Sequence, residues 1–385
     1  MKPAILILAA ALFSTSAHAQ TCAGPLSLGT LSIASQSQAH AVNADGSVIV
    51  GASVVVSGDL HAFRWTDALG MQDLGTLGGD ASVAADVSSD GNVVVGRSQL
   101  ANGDWRAFRW TAAGGMQSLG TLGGAHSRAE GVDADGSVVV GQSTNMLGDV
   151  RAFRWTLGGG MQGLGESTAA WQGSEATAVS ADGSVVVGRG ESIGPSNRFF
   201  AYRWTQAGGL ESLGFLPGTG TGNVLSEAFD VSTDGSVVVG TSRGRAFRWT
   251  ASGGLEDIGA GEALAVSGDG HVVVGNQAGP FRWTEEGGTQ FLGTTIGGIT
   301  ASTYGSDMTR DGSVIVGAVF QQNSRSCAFR YQSSLLGETY CRPTALPNSS
   351  GCRGIMLANG DPRLATGALE LTAALLPMNS FGFFL

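Results

Sequence analysis

Two short phrases recur seven times along this chain of 385 residues, and they constrain its fold more than any other feature. The first phrase is D-G-S-V-V-V-G, and its copies begin at Asp45, Asp90, Asp135, Asp182, Asp234, Asp269 and Asp311. The second phrase is A-F-R-W-T, and its arginines are Arg64, Arg109, Arg154, Arg203, Arg248, Arg282 and Arg330. Successive motif arginines lie 45, 45, 49, 45, 34 and 48 residues apart, which is the length of a unit that packs on its neighbours.

Each unit predicts four short antiparallel strands. The segment before each aspartate is the first strand, and Asp-Gly predicts a two-residue type I′ hairpin in which both residues have positive φ. S-V-V-V-G is the second strand, A-F-R-W-T is the third, and a looser phrase such as G-M-Q-D-L-G (70–75) is the fourth. Seven such units predict an all-β chain, folded as a β-propeller of seven four-stranded blades. A β-solenoid is the alternative, although its coils repeat in about 20–30 residues.

The first strand-like segment predicts how the ring closes. Residues 25–31, P-L-S-L-G-T-L, resemble the fourth strand of a unit, although no full unit precedes them. This segment could complete the seventh blade. Residues 333–337, S-S-L-L-G, compete for the same place, and the sequence leaves both possibilities open.

Residues 1–19 have the pattern of a secretory signal peptide. Lys2 precedes an apolar run from Ala4 to Phe13, and Ala17-His18-Ala19 supplies a cleavage site. The run is too short to cross a bilayer, and no later segment reaches the roughly 18 apolar residues of a transmembrane helix. We therefore predict a chain that does not span the membrane and is secreted, to the extracellular space, the periplasm or the cell surface.

Charge and cysteine content fit an exported protein. Without the leader the chain has 20 Arg against 31 Asp and Glu, a net charge of −11, and this acidic balance argues against nucleic acid as a partner. The four cysteines form an even set that predicts disulfides. The favoured pairs are Cys341–Cys352, as a local clasp, and Cys22–Cys327, which would join the two ends of the repeat region. Other pairings and free thiols stay open.

The phrases H-A-F-R-W, D-G-S-V-V-V-G and L-G-T-L-G-G together resemble the HAF family of extracellular repeat proteins over about residues 25–337. The resemblance implies secretion, a repeat domain of propeller type and no established enzymatic activity. Residues 340–385 resemble the opening of a small β-rich module of other secreted bacterial proteins, marked by N-S-S-G and F-G-F-F-L. We expect truncation within this module at Leu385, the alternative being that F-G-F-F-L ends as an edge strand. The predicted domains are a propeller at 20–337 and a partial module at 338–385.

The residues that recur in every unit are interpreted as scaffold. Alternation along the third strand puts Phe63 and Trp65 on one face and Ala62 and Arg64 on the other. A buried guanidinium must be paired, so each motif arginine is predicted to bond an aspartate or turn carbonyls of its own or the adjoining blade. The alternative is a ring of arginines around an anionic ligand. The Asp-Gly aspartates are interpreted as turn residues rather than calcium ligands, because only Asp133-Ala134-Asp135-Gly136 supplies two carboxylates.

Function is predicted in the residues that do not repeat. Trp105 and Trp171 lie outside the A-F-R-W copies, and together with Arg198 and Asn223 of the variable loops they are the candidate binding residues. Either tryptophan could stack on a sugar, or be a partly covered loop aromatic. No nucleophile motif or metal-ligand spacing occurs, so no catalytic residue, metal or cofactor is predicted.

The predicted function is a non-enzymatic binding module for an extracellular polysaccharide or protein. The alternatives are an extracellular polysaccharide hydrolase or lyase on a propeller scaffold, and a structural cell-surface repeat protein.

Overall fold

The computed structural model describes residues 27–33, 36–165, 171–192, 199–218, 225–277, 279–292, 295–296, 299–300, 302–320, 326–332, 355–359 and 370–374. Every regular element among them is a β-strand. Accordingly, this part of the chain has no α-helix of the length and apolarity needed to cross a membrane.

The strands form consecutive antiparallel sheets, one for each sequence unit. Blades 1 to 3 comprise β1 (Ser37–Val42), β2 (Val48–Val54), β3 (Leu60–Thr66), β4 (Gly70–Asp73); β5 (Gly78–Val87), β6 (Val93–Leu100), β7 (Trp105–Thr111), β8 (Gly115–Ser118); and β9 (Gly123–Val132), β10 (Val138–Asn145), β11 (Val150–Thr156), β12 (Gly160–Gly163). Blades 4 to 6 comprise β13 (Trp171–Val179), β14 (Val185–Ser192), β15 (Phe199–Thr205), β16 (Gly209–Gly214); β17 (Ser226–Val231), β18 (Val237–Ser242), β19 (Arg245–Thr250), β20 (Gly254–Ala260); and β21 (Glu262–Val266), β22 (Val272–Asn276), β23 (Pro280–Thr284), β24 (Gly288–Phe291). After the short pair β25 (Thr295–Ile296) and β26 (Ile299–Thr300), blade 7 comprises β27 (Ser302–Met308), β28 (Val314–Phe320) and β29 (Ser326–Gln332).

The sheets form a ring, and the fold is a seven-bladed β-propeller, as predicted. In each blade the first strand lies innermost, against a central channel. We call the side of the ring that carries the Asp-Gly turns and the Gly-Gly turns the turn face. The opposite side carries the links from second to third strands and from one blade to the next, and we call it the loop face.

The N-terminal segment supplies the fourth strand of blade 7. Ser27 pairs antiparallel with Phe329, and the backbone N–H of Leu28 donates to the carbonyl of Ala328 over 3.1 Å. Leu119 makes the same bond to Ala107 in blade 2, so the N-terminal chain occupies the ordinary fourth-strand position. The competing segment 333–337 lies outside the described residues.

Apolar clusters between neighbouring blades hold the ring together. The cluster between blades 1 and 2 combines Val48 and Val50 of β2 with Val94 and Phe108 of blade 2. Phe63 faces the other way, into the cluster between blades 7 and 1, with Trp65 beside it. Equivalent clusters fill the remaining junctions. The two faces of A-F-R-W-T therefore serve two different junctions, as the alternation predicts.

The Asp-Gly turns differ from the predicted type I′ hairpins, and that prediction is wrong. In blade 1 the N–H of Asn43 donates to the carbonyl of Val48, which leaves four residues in the connection. Gly46 has a φ of 75°, whereas the φ of Asp45 is not positive. In all seven turns the aspartate Oδ1 accepts the backbone N–H two residues later. The side chain two residues before the aspartate caps the first N–H of the second strand. This capping needs the wider turn.

A row of backbone hydrogen bonds joins these turns around the channel. In six successive bonds of 2.8–3.3 Å, the N–H of the residue before one turn aspartate donates to the carbonyl of its counterpart in the next blade, from Ala44 to Ser89 and onward to Arg310. The motif arginines add a second set of links. Nε of Arg64, Arg109, Arg154 and Arg248 donates to the turn-glycine carbonyl of the next blade, over 3.2–3.3 Å. For these four arginines the acceptor is a turn carbonyl of the adjoining blade rather than a turn aspartate.

The remaining described segments are short. β30 (Ile355–Asn359) and β31 (Glu370–Ala374) form an antiparallel pair within the predicted C-terminal module. Cys327 is buried in β29, whereas Cys22, Cys341 and Cys352 lie outside the described residues, so both disulfide pairings stay predictions.

Candidate functional site

On the loop face, equivalent positions of the seven blades carry different residues. The position after each V-V-V-G is occupied by Ala52, Arg97, Gln142, Arg189, Thr241, Asn276 and Ala318 in blades 1 to 7. On the first strands, the residues opposite them near the loop face are Gln38, Val83, Arg128, Glu175, Glu227, Glu262 and Tyr304. Charged residues thus concentrate in blades 2 to 6 at positions that the scaffold itself does not fix.

A groove of about 540 Å³ opens here across blades 2, 3 and 4. Its lining residues are Arg97, Trp105, His126, Ser127, Arg128, Gln142, Ser143, Thr144, Val150 and Glu175. Trp105 begins β7, and the guanidinium carbon of Arg97 lies 5.3 Å from the centre of its ring. The backbone N–H of Trp105 donates to Nδ1 of His126 over 3.3 Å, which leaves the proton of the neutral imidazole on Nε2.

A chain of ion pairs runs from the groove along the inner edge of blades 3, 4 and 5. Arg128 binds Glu130 over 2.8 Å and Glu175 over 3.1 Å. Arg189 then binds Glu175 over 2.9 Å and Glu227 over 3.3 Å. Burial raises the pKa of Glu130 and of Glu227, and the arginines act against that rise. Because each carboxylate is held by arginine, the chain fixes the shape of the groove wall.

The four residues singled out in the sequence fall into different environments. Trp105 lines the groove. Trp171 packs edge-on against Phe200, with ring centres 4.2 Å apart, and also contacts Tyr202 within the core between blades 3 and 4. Arg198 and Asn223 lie outside the described residues. Of the two that the structure describes, Trp105 therefore lies in the groove and Trp171 lies in the core.

Sequence reasoning missed Arg97, Arg128 and Glu175, which share the groove with Trp105. Each occupies a repeat position whose residue differs from blade to blade, so comparison of the units position by position carries a signal for them. That comparison does not show which variable positions adjoin, because they belong to different strands of different blades.

Three further unrepeated carboxylates face the central channel: Asp86, Asp230 and Asp307. Each replaces an alanine or glycine of the other blades, directly after a β-bulge in the first strand. Oδ2 of each accepts a backbone N–H from the next blade, over 2.8 Å for Asp86 and Asp230 and 2.9 Å for Asp307. These three aspartates therefore link neighbouring blades by hydrogen bonds.

The channel cavity beside these three aspartates has a volume of about 110 Å³, which is enough for a few water molecules. Burial raises the pKa of Asp86 to about 7 and that of Asp230 to about 6, and it holds the pKa of Asp307 well above its ordinary value. Repulsion by neighbouring aspartates also raises the pKa of Asp86 and Asp307, whereas Arg310 lowers the pKa of Asp86 and Asp230. Because each carboxylate accepts a backbone N–H of the next blade, these carboxyls are interpreted as structural.

These pKa values predict an unusual pH dependence of stability. Because the folded state raises the pKa of Asp86 from 3.8 to about 7, it holds a proton that the unfolded chain releases, and this contribution is lost as pH rises through that range. The predicted quantity is the free energy of unfolding of the wild type minus that of Asp86→Asn. This difference should fall by on the order of 1–2 kcal/mol between about pH 4.5 and about pH 7.5. Urea unfolding at several pH values measures it, and a gap that widens with pH contradicts it.

No group of three or more His, Cys, Asp or Glu side chains in the described ranges is arranged to hold a metal ion. The aspartates of the Asp-Gly turns accept backbone N–H groups instead, as described above.

Comparisons with known proteins give distant structural likenesses. No protein-family model matches the chain, and no curated protein sequence matches it. Among solved structures, TolB from Acinetobacter baumannii aligns with a TM-score of 0.42 and 12% identity over 77% of this chain, which spans 64% of that protein's length. A protein assigned as TolB from Agrobacterium tumefaciens aligns with a TM-score of 0.39 and 14% identity over 78% of this chain and 91% of its own.

Proposed function

We propose that this protein is an exported binding module that holds a polysaccharide in the loop-face groove across blades 2, 3 and 4. The observation that carries the proposal is the groove itself. In this groove a tryptophan lies beside arginine, histidine and amide side chains, at repeat positions whose residue differs from blade to blade. An aromatic surface flanked by hydrogen-bonding groups suits a sugar ring, which has apolar faces and a polar edge.

The signal peptide at 1–19 and the resemblance to the HAF family support the extracellular side of this proposal. The closing strand at Ser27 and Leu28 lies beyond the proposed cleavage site after Ala19, so a processed chain keeps the residues that complete blade 7. Secretion and family membership are thus compatible with the ring.

Binding of the secreted full chain to a panel of neutral and acidic polysaccharides tests the proposal. We expect saturable binding to at least one polymer, weakened by about tenfold or more in Trp105→Ala, because a stacking aromatic contributes on the order of 1–2 kcal/mol. The matched control is Leu157→Ala, an apolar residue that is 85% exposed on the turn face, and its binding should equal that of the wild type. Equal binding by Trp105→Ala and the wild type would refute the groove as the site.

The same polymers separate this function from the hydrolase or lyase alternative. Release of reducing ends or unsaturated products from a bound polymer would favour the enzyme. The groove carboxylate Glu175 is held by two ion pairs, to Arg128 and to Arg189.

A further inference from the structure

We infer that the polysaccharide bound in the groove is acidic, and that Arg97 binds a carboxylate of its uronic acid residues. This inference rests on the proposed function and adds the ligand's charge. It is carried by the chemistry of Arg97, which differs from that of the other arginines of the groove and its wall.

Arg97 forms no ion pair with a carboxylate in the part of the chain that the structure describes. Its guanidinium lies over the ring of Trp105, and its Nε atom, like that of Arg189, is buried with no hydrogen-bond partner among the described residues. Arg128 and Arg189, by contrast, each bind two glutamates. Glu130 lies close enough for Arg97 to lower its pKa, but its ion-pair partner is Arg128. A guanidinium is the group that proteins use to bind a carboxylate through two parallel hydrogen bonds, and because Nε of Arg97 is buried, its two terminal Nη groups are the donors that would make them.

Trp105 and His126 place this guanidinium where a sugar would lie. Stacking on Trp105 removes much of the rotational freedom that a free arginine would lose on binding. His126 lines the same groove, and with Nδ1 engaged by the backbone of Trp105 its Nε2–H is a second donor. A ligand that offers an apolar ring face and a carboxylate on its edge satisfies all three groups, and a uronic acid residue has both.

A matched pair of ligands tests the inference. The probes are polygalacturonate, alginate and hyaluronan, each compared with its carboxyl-reduced form, in which the same sugar backbone carries hydroxymethyl groups instead of carboxylates. Binding to the full secreted chain is measured by calorimetry at low and at moderate salt. We expect at least one acidic polymer to bind, and its reduced form to bind about tenfold more weakly or worse, as for loss of a charge-assisted hydrogen bond.

Variants assign the effect to one side chain. Arg97→Gln should weaken binding of the acidic polymer by about tenfold and leave the residual affinity for the reduced polymer unchanged. Arg106→Gln is the control, since Arg106 adjoins Trp105 but pairs with Asp104 over 3.5 Å, and removing it changes the net charge equally. It should retain tight binding, and circular dichroism confirms that both variants fold.

The outcomes distinguish the inference from the proposal beneath it. Equal affinity for acidic and reduced polymers, with loss of both in Trp105→Ala, overturns the inference and keeps the binding function. Selectivity for acidic polymers that is unchanged in Arg97→Gln overturns the role of Arg97. Binding that is indifferent to Trp105→Ala, or absent for every polymer, overturns both.

Discussion

Replacing Gly141 with alanine is expected to destabilise the propeller by about 3 kcal/mol or more, because the new methyl group has no space. Gly141 is the last residue of V-V-V-G in β10, and a Cβ there would overlap the carbonyl oxygen of Arg128 and lie 2.9 Å from Cα of Ala129. These atoms belong to the backbone of β9, which also contacts β13 of blade 4. The cause is the β-bulge at Glu130, which presses β9 against Gly141.

Gly158→Ala is the matched control for this prediction. Gly158 lies in the Gly-Gly turn of the same blade, has no neighbour within 4 Å of an added Cβ and has an ordinary φ. Its free energy of unfolding should change by less than about 0.5 kcal/mol. Urea denaturation of both variants gives the comparison. Similar values for the two would show that the bulge yields, and that glycine recurs in V-V-V-G for another reason.

Leu28→Ala is expected to cost about 2–4 kcal/mol although Leu28 lies outside every complete repeat, since it fills a core rather than a tail. Its side chain is 7% exposed and packs with Ala39, Phe63 and Val316 in the cluster between blades 7 and 1. Shortening it leaves a cavity at the junction where the two ends of the ring meet. The loss should appear as a lower midpoint in urea.

The control is Leu119→Ala, the equivalent fourth-strand leucine of blade 2, which is 8% exposed in its own junction. Both variants should lose similar stability if residues 27 and 28 close the ring. A cost for Leu119→Ala with none for Leu28→Ala would mean that another segment takes the closing position. The same pair thus tests the closure of the ring without relying on the disulfide prediction.

The repeats determined the architecture because they encode short-range structure. Alternating apolar positions, glycine at the turns and a period near 45 residues define four strands per unit, and seven copies can bury their faces only against one another. Local pattern also places Phe63 and Arg64 on opposite faces. Local pattern did not reveal the four-residue Asp-Gly turn. That geometry depends both on the capping side chain two residues before the aspartate and on the backbone bond to the next blade.

Only the tertiary structure decided which unrepeated residues meet. Arg97 and Trp105 belong to one blade, whereas Arg128 and Glu175 come from the next two. Their spacing along the chain therefore does not predict that they line one groove. The same holds for Asp86, Asp230 and Asp307, which meet only because the ring brings blades 2, 5 and 7 to one channel. The sequence by itself thus determined the blade and its number of copies, through contacts between neighbours in the chain. The closure of the ring determined the candidate site, since it depends on contacts between residues far apart in the chain.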